Sequence, residues 1–524
     1  MLWLPTLLFV ASSCVQLVSL AEAAPNVVDA PPPPTSSLNN RALAVIYSVL
    51  GGDNWIRNEW WSSLQPDSTD ICLQNKVFRP YGIICDGNNY VSEIHLPKNN
   101  LTGVLPSYDA LFVLLPWLSV LDINSNPGIT GTLPTLPSSY PLSQAHLDFL
   151  SLSGTIPDSL FTSTLTQLYL TSNQLTGTLP TTVGNSIGLQ FLSVSANAAL
   201  SGSVPDSICQ CTQLQNLDLS DNQFTTIPGC FGTAVGSRMQ VFNVGNNALD
   251  MTMPLNWCDF TSLSIFHVQN NAGLVGTLPS CIANWNRTIR DITVKSTGLS
   301  GTIPAGIFLM VELRILMLSQ SEFSGEIPNQ FGNLTNLTTV DFNGNPLSPG
   351  LINGSFPVTL FQLSTVQSIS IQYTHIRGPI PKLDALTNLW MLSLANNPLL
   401  ATPFPVELLK TLWTQPQDSR IIGMSPRELH LENTLLSGVL PDDPYFEWAD
   451  LVRDMSHQPA AVTLYNTKLT GFVPAASLRW IPRESWDVNG NQGVLQGCQE
   501  LLFPIGEALR NLTGGYAGRR FLLY

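Results

Sequence analysis

Positive charge is scarce in this chain. Its 524 residues include 22 Lys and Arg against 36 Asp and Glu, for a formal net charge of -14. Nucleic acid calls for a basic stripe, so no nucleic-acid partner is expected, and anionic membrane surfaces are disfavoured for the same reason. Charge of either sign is thin, at 11% of residues. Hydroxyls and amides must therefore keep the surface wet. Metalloprotease, phosphate-loop and kinase signatures are missing. The chain is expected to have no catalytic residues, no cofactor and no enzymatic activity. Beyond the first twenty residues there is no run of about 18 or more apolar residues, so no membrane helix is expected after the leader.

What is present begins with a leader. Leu2 to Val10 is apolar and Ala21-Glu22-Ala23 is a small-x-small cleavage site, so residues 1–23 are expected to be a signal peptide, with an uncleaved anchor over Leu2 to Leu20 as the alternative. Pro31 to Pro34 lie in a stiff spacer, and residues 24–40 are assigned as a Pro-rich linker. Nine cysteines are present, eight of them after Cys14 of the leader, which suits an oxidising compartment. Six N-x-[ST] sequons, at Asn100, Asn286, Asn333, Asn336, Asn353 and Asn511, are expected glycan sites. Together these predict a secreted, extracellular glycoprotein, with retention at a cell surface or wall as a further expectation.

Most of the chain is one repeat. Leu165 to Pro180 shows the pattern L-x-x-L-x-L-x-x-N-x-L-x-G-x-[IL]-P. Sixteen units begin at Val91, Leu118, Leu142, Leu165, Leu189, Leu214, Met239, Leu263, Ile289, Leu313, Leu337, Val366, Leu389, Pro426, Pro459 and Arg483, the last degenerate. In L-x-x-L-x-L the period of two predicts a strand with leucines inward and x positions outward. The ninth-position Asn (Asn173, Asn197, Asn222, Asn247, Asn271, Asn345, Asn397) is expected to bond buried backbone and form an amide ladder. G-x-[IL]-P is expected to be a second turn, with Pro ending pairing. Ser348 to Ser355, Glu407 to Ser425 and Asp442 to Gln458 lengthen three units; Phe446, Trp448 and Leu451 share one helical side of the last. One repeat cannot bury its own apolar face, so the units must stack into a solenoid. The fold class is thus an α/β repeat, with residues 41–90 as N-terminal cap, 91–482 as solenoid, and 483–524 as C-terminal cap and tail. The first cap is expected to use Leu43, Val45, Ile46 and Val49 as one helical face. Leu501, Leu502, Ile505 and Leu509 are expected to close the far end.

These strings resemble the plant-type leucine-rich repeat subclass. Ala42-Leu43-Ala44-Val45-Ile46-Tyr47, Gly52-Asp53-Asn54-Trp55 and Tyr81-Gly82-Ile83-Ile84-Cys85 are similar to its N-terminal cap, with Tyr81 where Trp is usual. The resemblance covers about Arg41 to Gly497. It implies a curved right-handed solenoid with a concave parallel sheet. It also implies recognition work, as in receptor-like proteins and polygalacturonase-inhibiting proteins. The expected partner is a protein or peptide on the concave face, with a membrane-bound signalling protein as a possible associate. The alternatives are an inhibitor of a secreted hydrolase and a structural wall glycoprotein.

Cysteine offsets test the register. Cys209 and Cys230 follow Pro205 and Pro228 in adjacent units, and Cys258 and Cys281 follow Pro254 and Pro279. Stacking brings such positions within disulfide range. The expected bonds are Cys209–Cys230, Cys258–Cys281 and, in the cap, Cys72–Cys85. Cys211 could instead take Cys230; Cys498 is left over.

Outward positions supply the candidate site. Phe149, Tyr169 and Phe191 fall on three successive units, flanked by Asp148, Asp218 and Asp221. Exposed aromatics beside carboxylates suit a basic or hydroxyl-rich protein or peptide; the alternative is cross-strand stacking that only stabilises the sheet. His95, Asp122 and His146 share the fifth slot of three consecutive units. They are candidates for one divalent ion or a pH-sensitive surface, against ordinary polar surface.

Overall fold

The computed structural model describes residues 38–66, 68–73, 79–107, 112–403, 428–439, 462–463, 466–470 and 486–487. The leader, most of the linker, the segments Glu407–Ser425 and Asp442–Gln458, Tyr465, Cys498, Asn511 and the proposed closing helix lie outside them.

Each of the sixteen units contributes one parallel strand to a single continuous sheet, from Val91–His95 to Trp486–Asp487. The strand is the third to fifth template position, for example Gln144–His146, Gln167–Tyr169 and Phe191–Ser193. Pairing proceeds rung by rung with no slip: Leu168 stands opposite Ala145 and Leu192. Ile83–Cys85 caps the first rung antiparallel. The inward leucines fill one core; Leu165, Leu168, Leu170 and Leu175 are each fully buried. Each is worth roughly 1.5–3 kcal/mol of burial before entropy is counted. Toward the middle of the chain the core turns aromatic, with Phe242 between Trp257, Phe260 and Phe266 at 4.9–5.9 Å.

The ladder position works as a hydrogen-bond spine. Asn197 Oδ1 accepts the Leu175 N–H at 3.0 Å, and its Nδ2 donates to the Leu170 and Val194 carbonyls, both at 3.0 Å. Asn173, Asn222, Asn247, Asn271 and Asn397 likewise each donate to one carbonyl of their own rung and one of the preceding rung. Asn345 departs from the expected role. It donates to Glu322 and folds onto Ser348, because the lengthened unit turns early there. Where Asn is lacking, Thr297 and Ser321 hold the spine with hydroxyls.

The G-x-[IL]-P step is more than a turn. Segments such as Gly128–Thr132, Ser151–Thr155 and Gln174–Gly177 pair as parallel strands of a second, interrupted sheet. The glycine takes positive φ, 78° at Gly154 and 84° at Gly177, and a Cβ there would press the Thr132 or Thr155 methyl of the rung before. Pro then leads into short 3-10 turns on the convex side, as at Asp158–Leu160 and Asp206–Gln210.

The cap helix spans Leu38–Val49, beginning inside the segment assigned as linker. Buried Asn39 and Asn40 explain this: Asn39 bonds Asp70 and the Asn89 carbonyl, and Asn40 accepts the Ile71 N–H. The buried face is Leu43, Ile46 and Leu50; Val49 turns outward at 40% exposure, and Val45 is half-buried. Trp55 and Trp61 pack edge to face at 4.9 Å, and Trp61 Nε1 donates to the Tyr81 carbonyl. Tyr81 carries the Arg57 guanidinium over its ring at 3.5 Å.

Three disulfides join Cys72–Cys85, Cys209–Cys230 and Cys258–Cys281, with Cα atoms 5.7, 6.3 and 5.5 Å apart. Cys211 is a buried thiol donating to the Val183 carbonyl. Among the described residues, no helix is long and apolar enough to cross a membrane.

Candidate functional site on the concave sheet

The outer face of the long sheet is a grid of third and fifth positions with a rim beyond. The aromatic row runs through His146, Tyr169 and Phe191. His146 and Tyr169 are direct cross-strand partners with centroids 4.8 Å apart. Tyr169 and Phe191 meet diagonally at 6.3 Å, 27° from parallel. All three are half-buried.

Phe149 does not join this row. It is the eighth template position, where the chain leaves the strand with φ 53°, and it is 54% exposed. Asp221 holds the same position with φ 56°. Among the described residues every unit except that of Leu337, where Gly344 lacks the positive φ and Asn345 departs, turns this way to deliver its ninth residue inward, so eighth-position side chains sit on the rim, not the strand face. The expected row of Phe149, Tyr169 and Phe191 is corrected accordingly: His146 takes the first place.

Asp148 and Asp218 flank the rings differently. Asp148 Oδ1 accepts the Thr171 N–H at 3.1 Å, and burial holds its carboxyl above the ordinary carboxylate range. Burial, and next the charge of Asp148, raise the Tyr169 phenol. Asp218 Oδ1 accepts the Ser220 hydroxyl at 2.7 Å and amide at 3.1 Å. Between them the Thr171, Ser193 and Ser195 hydroxyls cluster within 2.6–3.3 Å. The face therefore offers rings, a hydroxyl floor and carboxylates, which suits stacking plus hydrogen bonding.

His95 and Asp122, and Asp122 and His146, are cross-strand partners. His95 Nε2 contacts Glu93 at 2.8 Å and its Nδ1 lies 3.7 Å from Asp122, while Asp122 is also taken by Asn124 at 2.7 Å. His146 turns to the Tyr169 ring instead. Among the described residues no group of three or more His, Cys, Asp or Glu could hold a metal ion, so the metal reading of this trio is not supported.

Gly184-Asn185-Ser186-Ile187-Gly188 has the spacing of a serine-hydrolase elbow. Ser186 is fully buried and donates to the Thr162 carbonyl at 2.8 Å. It belongs to the convex hydrogen bonding.

Sequence reasoning passed over the aliphatic outward positions. Val241, Ile265 and Ile315 occupy third positions and Met317 a fifth, all half-buried. The same template positions that carry Tyr169 and Phe191 carry these, and their aliphatic character is the signal in the sequence.

Of the sequons, Asn100, Asn333, Asn336 and Asn353 are exposed and Asn286 is half-buried. Asn100 and Asn336 Nδ2 already donate, to the Asn54 and Val311 carbonyls.

Known proteins agree with this architecture. The family model "Leucine rich repeat" matches residues 163–224, and a second leucine-rich repeat model matches 312–334. Receptor-like protein 41 of Arabidopsis thaliana is 29% identical over 156 residues, 29% of this chain and 17% of that protein. Receptor-like protein 31, from the same plant, is 32% identical over 87 residues, 16% of this chain and 10% of that protein. The matches thus span under a fifth of those relatives. Among solved structures, a TDR receptor superposes with a TM-score of 0.58 at 22% identity, covering 73% of this chain and 65% of that one. The plant peptide hormone receptor RGFR1, solved in complex with RGF2, gives 0.55 at 22%, covering 78% and 71%. The chain thus has a leucine-rich repeat fold and is similar, over part of its length, to plant receptor-like proteins.

Proposed function

We propose that this chain is a non-catalytic extracellular recognition protein that binds a peptide or protein segment on its concave face. The binding surface is centred on Tyr169 and Phe191, with Asp148 and Asp218 beside them and Phe149 and Asp221 on the rim. The observation that carries it is the half-buried row His146–Tyr169–Phe191 lying against a hydroxyl floor. An interior would have buried those rings, and a merely wet surface would not need them. The three disulfides support secretion. A receptor-like or co-receptor role, with a membrane-bound signalling partner, is the finer reading; the similarity to plant receptor-like proteins supports it.

The test is selection of a displayed random peptide library on the secreted full chain, followed by affinity measurement against Tyr169→Ala and Phe191→Ala. Binders that weaken about tenfold or more in both variants are expected, the scale of a single interface anchor. Binders indifferent to both would dismiss the concave site.

A further inference from the structure

The aliphatic outward positions form a second patch on the same sheet, and its distance from the rings is fixed by the rungs. Phe191 is opposite Asn216, Asn216 opposite Val241, and Val241 opposite Ile265. Ile265 is opposite Asp291, which is opposite Ile315. Phe191 to Ile265 is therefore three rungs, or about 14 Å, and Phe191 to Ile315 is five, or about 24 Å. An extended peptide covers those intervals in roughly four and seven residues.

Charge differs between the two patches. Near the rings, Asp218 has one carboxylate oxygen bonded to Ser220 and, among the described residues, no protein donor on the other, and Asp221 is exposed on the rim of the same rung. Near the aliphatics, Asp291 is met by His267 Nε2 at 3.0 Å and by the Thr293 hydroxyl at 3.0 Å. Lys295 stands on that rung as well. A carboxylate oxygen without a donor among the described residues thus lies next to the ring end, whereas at the aliphatic end Asp291 is met by His267 and Thr293, and Asp341, opposite Met317, accepts the Ser319 hydroxyl and the Asn343 N–H.

Resting on the concave-face reading above, we propose that the partner is an extended peptide with a three-part order. An aromatic or proline side chain stacks on Tyr169 and Phe191. A cationic residue follows within two or three positions, against Asp218 and Asp221. An aliphatic residue four to seven positions from the first packs on Ile265, Ile315 and Met317, beyond Val241. Asn216, Ser220 and Asn243, the last donating to the Ser220 hydroxyl at 3.1 Å, line the rungs between the anchors.

The experiment uses a displayed library of random twelve-residue peptides on the secreted full chain. Enriched peptides are synthesised and their affinities measured by fluorescence anisotropy. Anisotropy is repeated with Phe191→Ala, with the double variant Ile265→Ser/Ile315→Ser, and with peptides whose aliphatic anchor is replaced by Ser. The peptide replacement leaves the protein untouched, so it answers even if the double variant folds poorly. Enrichment of the aromatic–cation–aliphatic spacing is expected, with about tenfold loss from either removal of the aliphatic contact. Peptides that need Phe191 but tolerate loss of the aliphatic anchor would overturn this inference and leave the concave site standing. Peptides indifferent to Phe191, or no enrichment at all, would overturn both.

Discussion

Tyr169 and Phe191 stand on adjoining rungs with rings 6.3 Å apart, yet they are not direct cross-strand partners. Tyr169 is opposite Ser193 and Phe191 is opposite Gln167. The contact is diagonal, and the small Ser193 leaves room for it. Such pairs contribute about 0.2–1 kcal/mol. A double-mutant cycle of Tyr169→Ala and Phe191→Ala in urea should show coupling of that order. Coupling near zero would mean the rings do not brace each other.

The amide spine predicts a contrast between two asparagines. Asn197→Ala strands the Leu175 N–H in the interior and takes one of two amide donors from the Leu170 and Val194 carbonyls, which keep Asn173 and Asn222. A loss of about 2–4 kcal/mol is expected. Asn345→Ala should cost under about 1 kcal/mol, since its partners, the Glu322 carboxylate and the Leu347 N–H, lie toward the surface. Equal costs in chemical denaturation would refute the spine as the source of rigidity.

Asp148 gives a pH dependence. Its carboxyl is raised by burial, so the native chain holds that proton more tightly than the unfolded chain. The stability this group contributes is present below the unfolded value, near about pH 4, and is lost as pH rises through the raised native value. Asp148→Asn keeps an acceptor for the Thr171 N–H and removes the charge. Its melting temperature should equal or exceed the parent's near neutral pH, the gap closing as pH falls toward about 4. A variant less stable at neutral pH would show that the ionised form is needed.

Cys211 should be silent in the folded protein. Its thiol is buried and pushed up to about 12, and thiolate is the reactive form. Peptide mapping after iodoacetamide should find Cys211 unmodified in native buffer and modified in denaturant. Rapid native labelling would place it at an open surface.

The Cys258–Cys281 bond ties two adjacent convex turns. Replacing both with Ser should cost about 2–4 kcal/mol, the range for a loop of this kind. Loss of secretion with an unchanged native structure would point to a folding role instead.

Sequence alone set the period, the inward leucines and the strand positions, because a fixed repeat that must bury its face has one register that works. The cysteine offsets were legible for the same reason: equal template positions become neighbours once units stack. It did not decide which outward residues meet. Phe149 and Tyr169 lie in the same successive-unit series, but the αL turn at the eighth position lifts Phe149 to the rim, and that turn exists because the ninth residue must point inward. The second sheet, the diagonal ring contact and the aliphatic patch beyond it likewise depend on side chains more than twenty residues apart in the chain. Only stacking places them side by side.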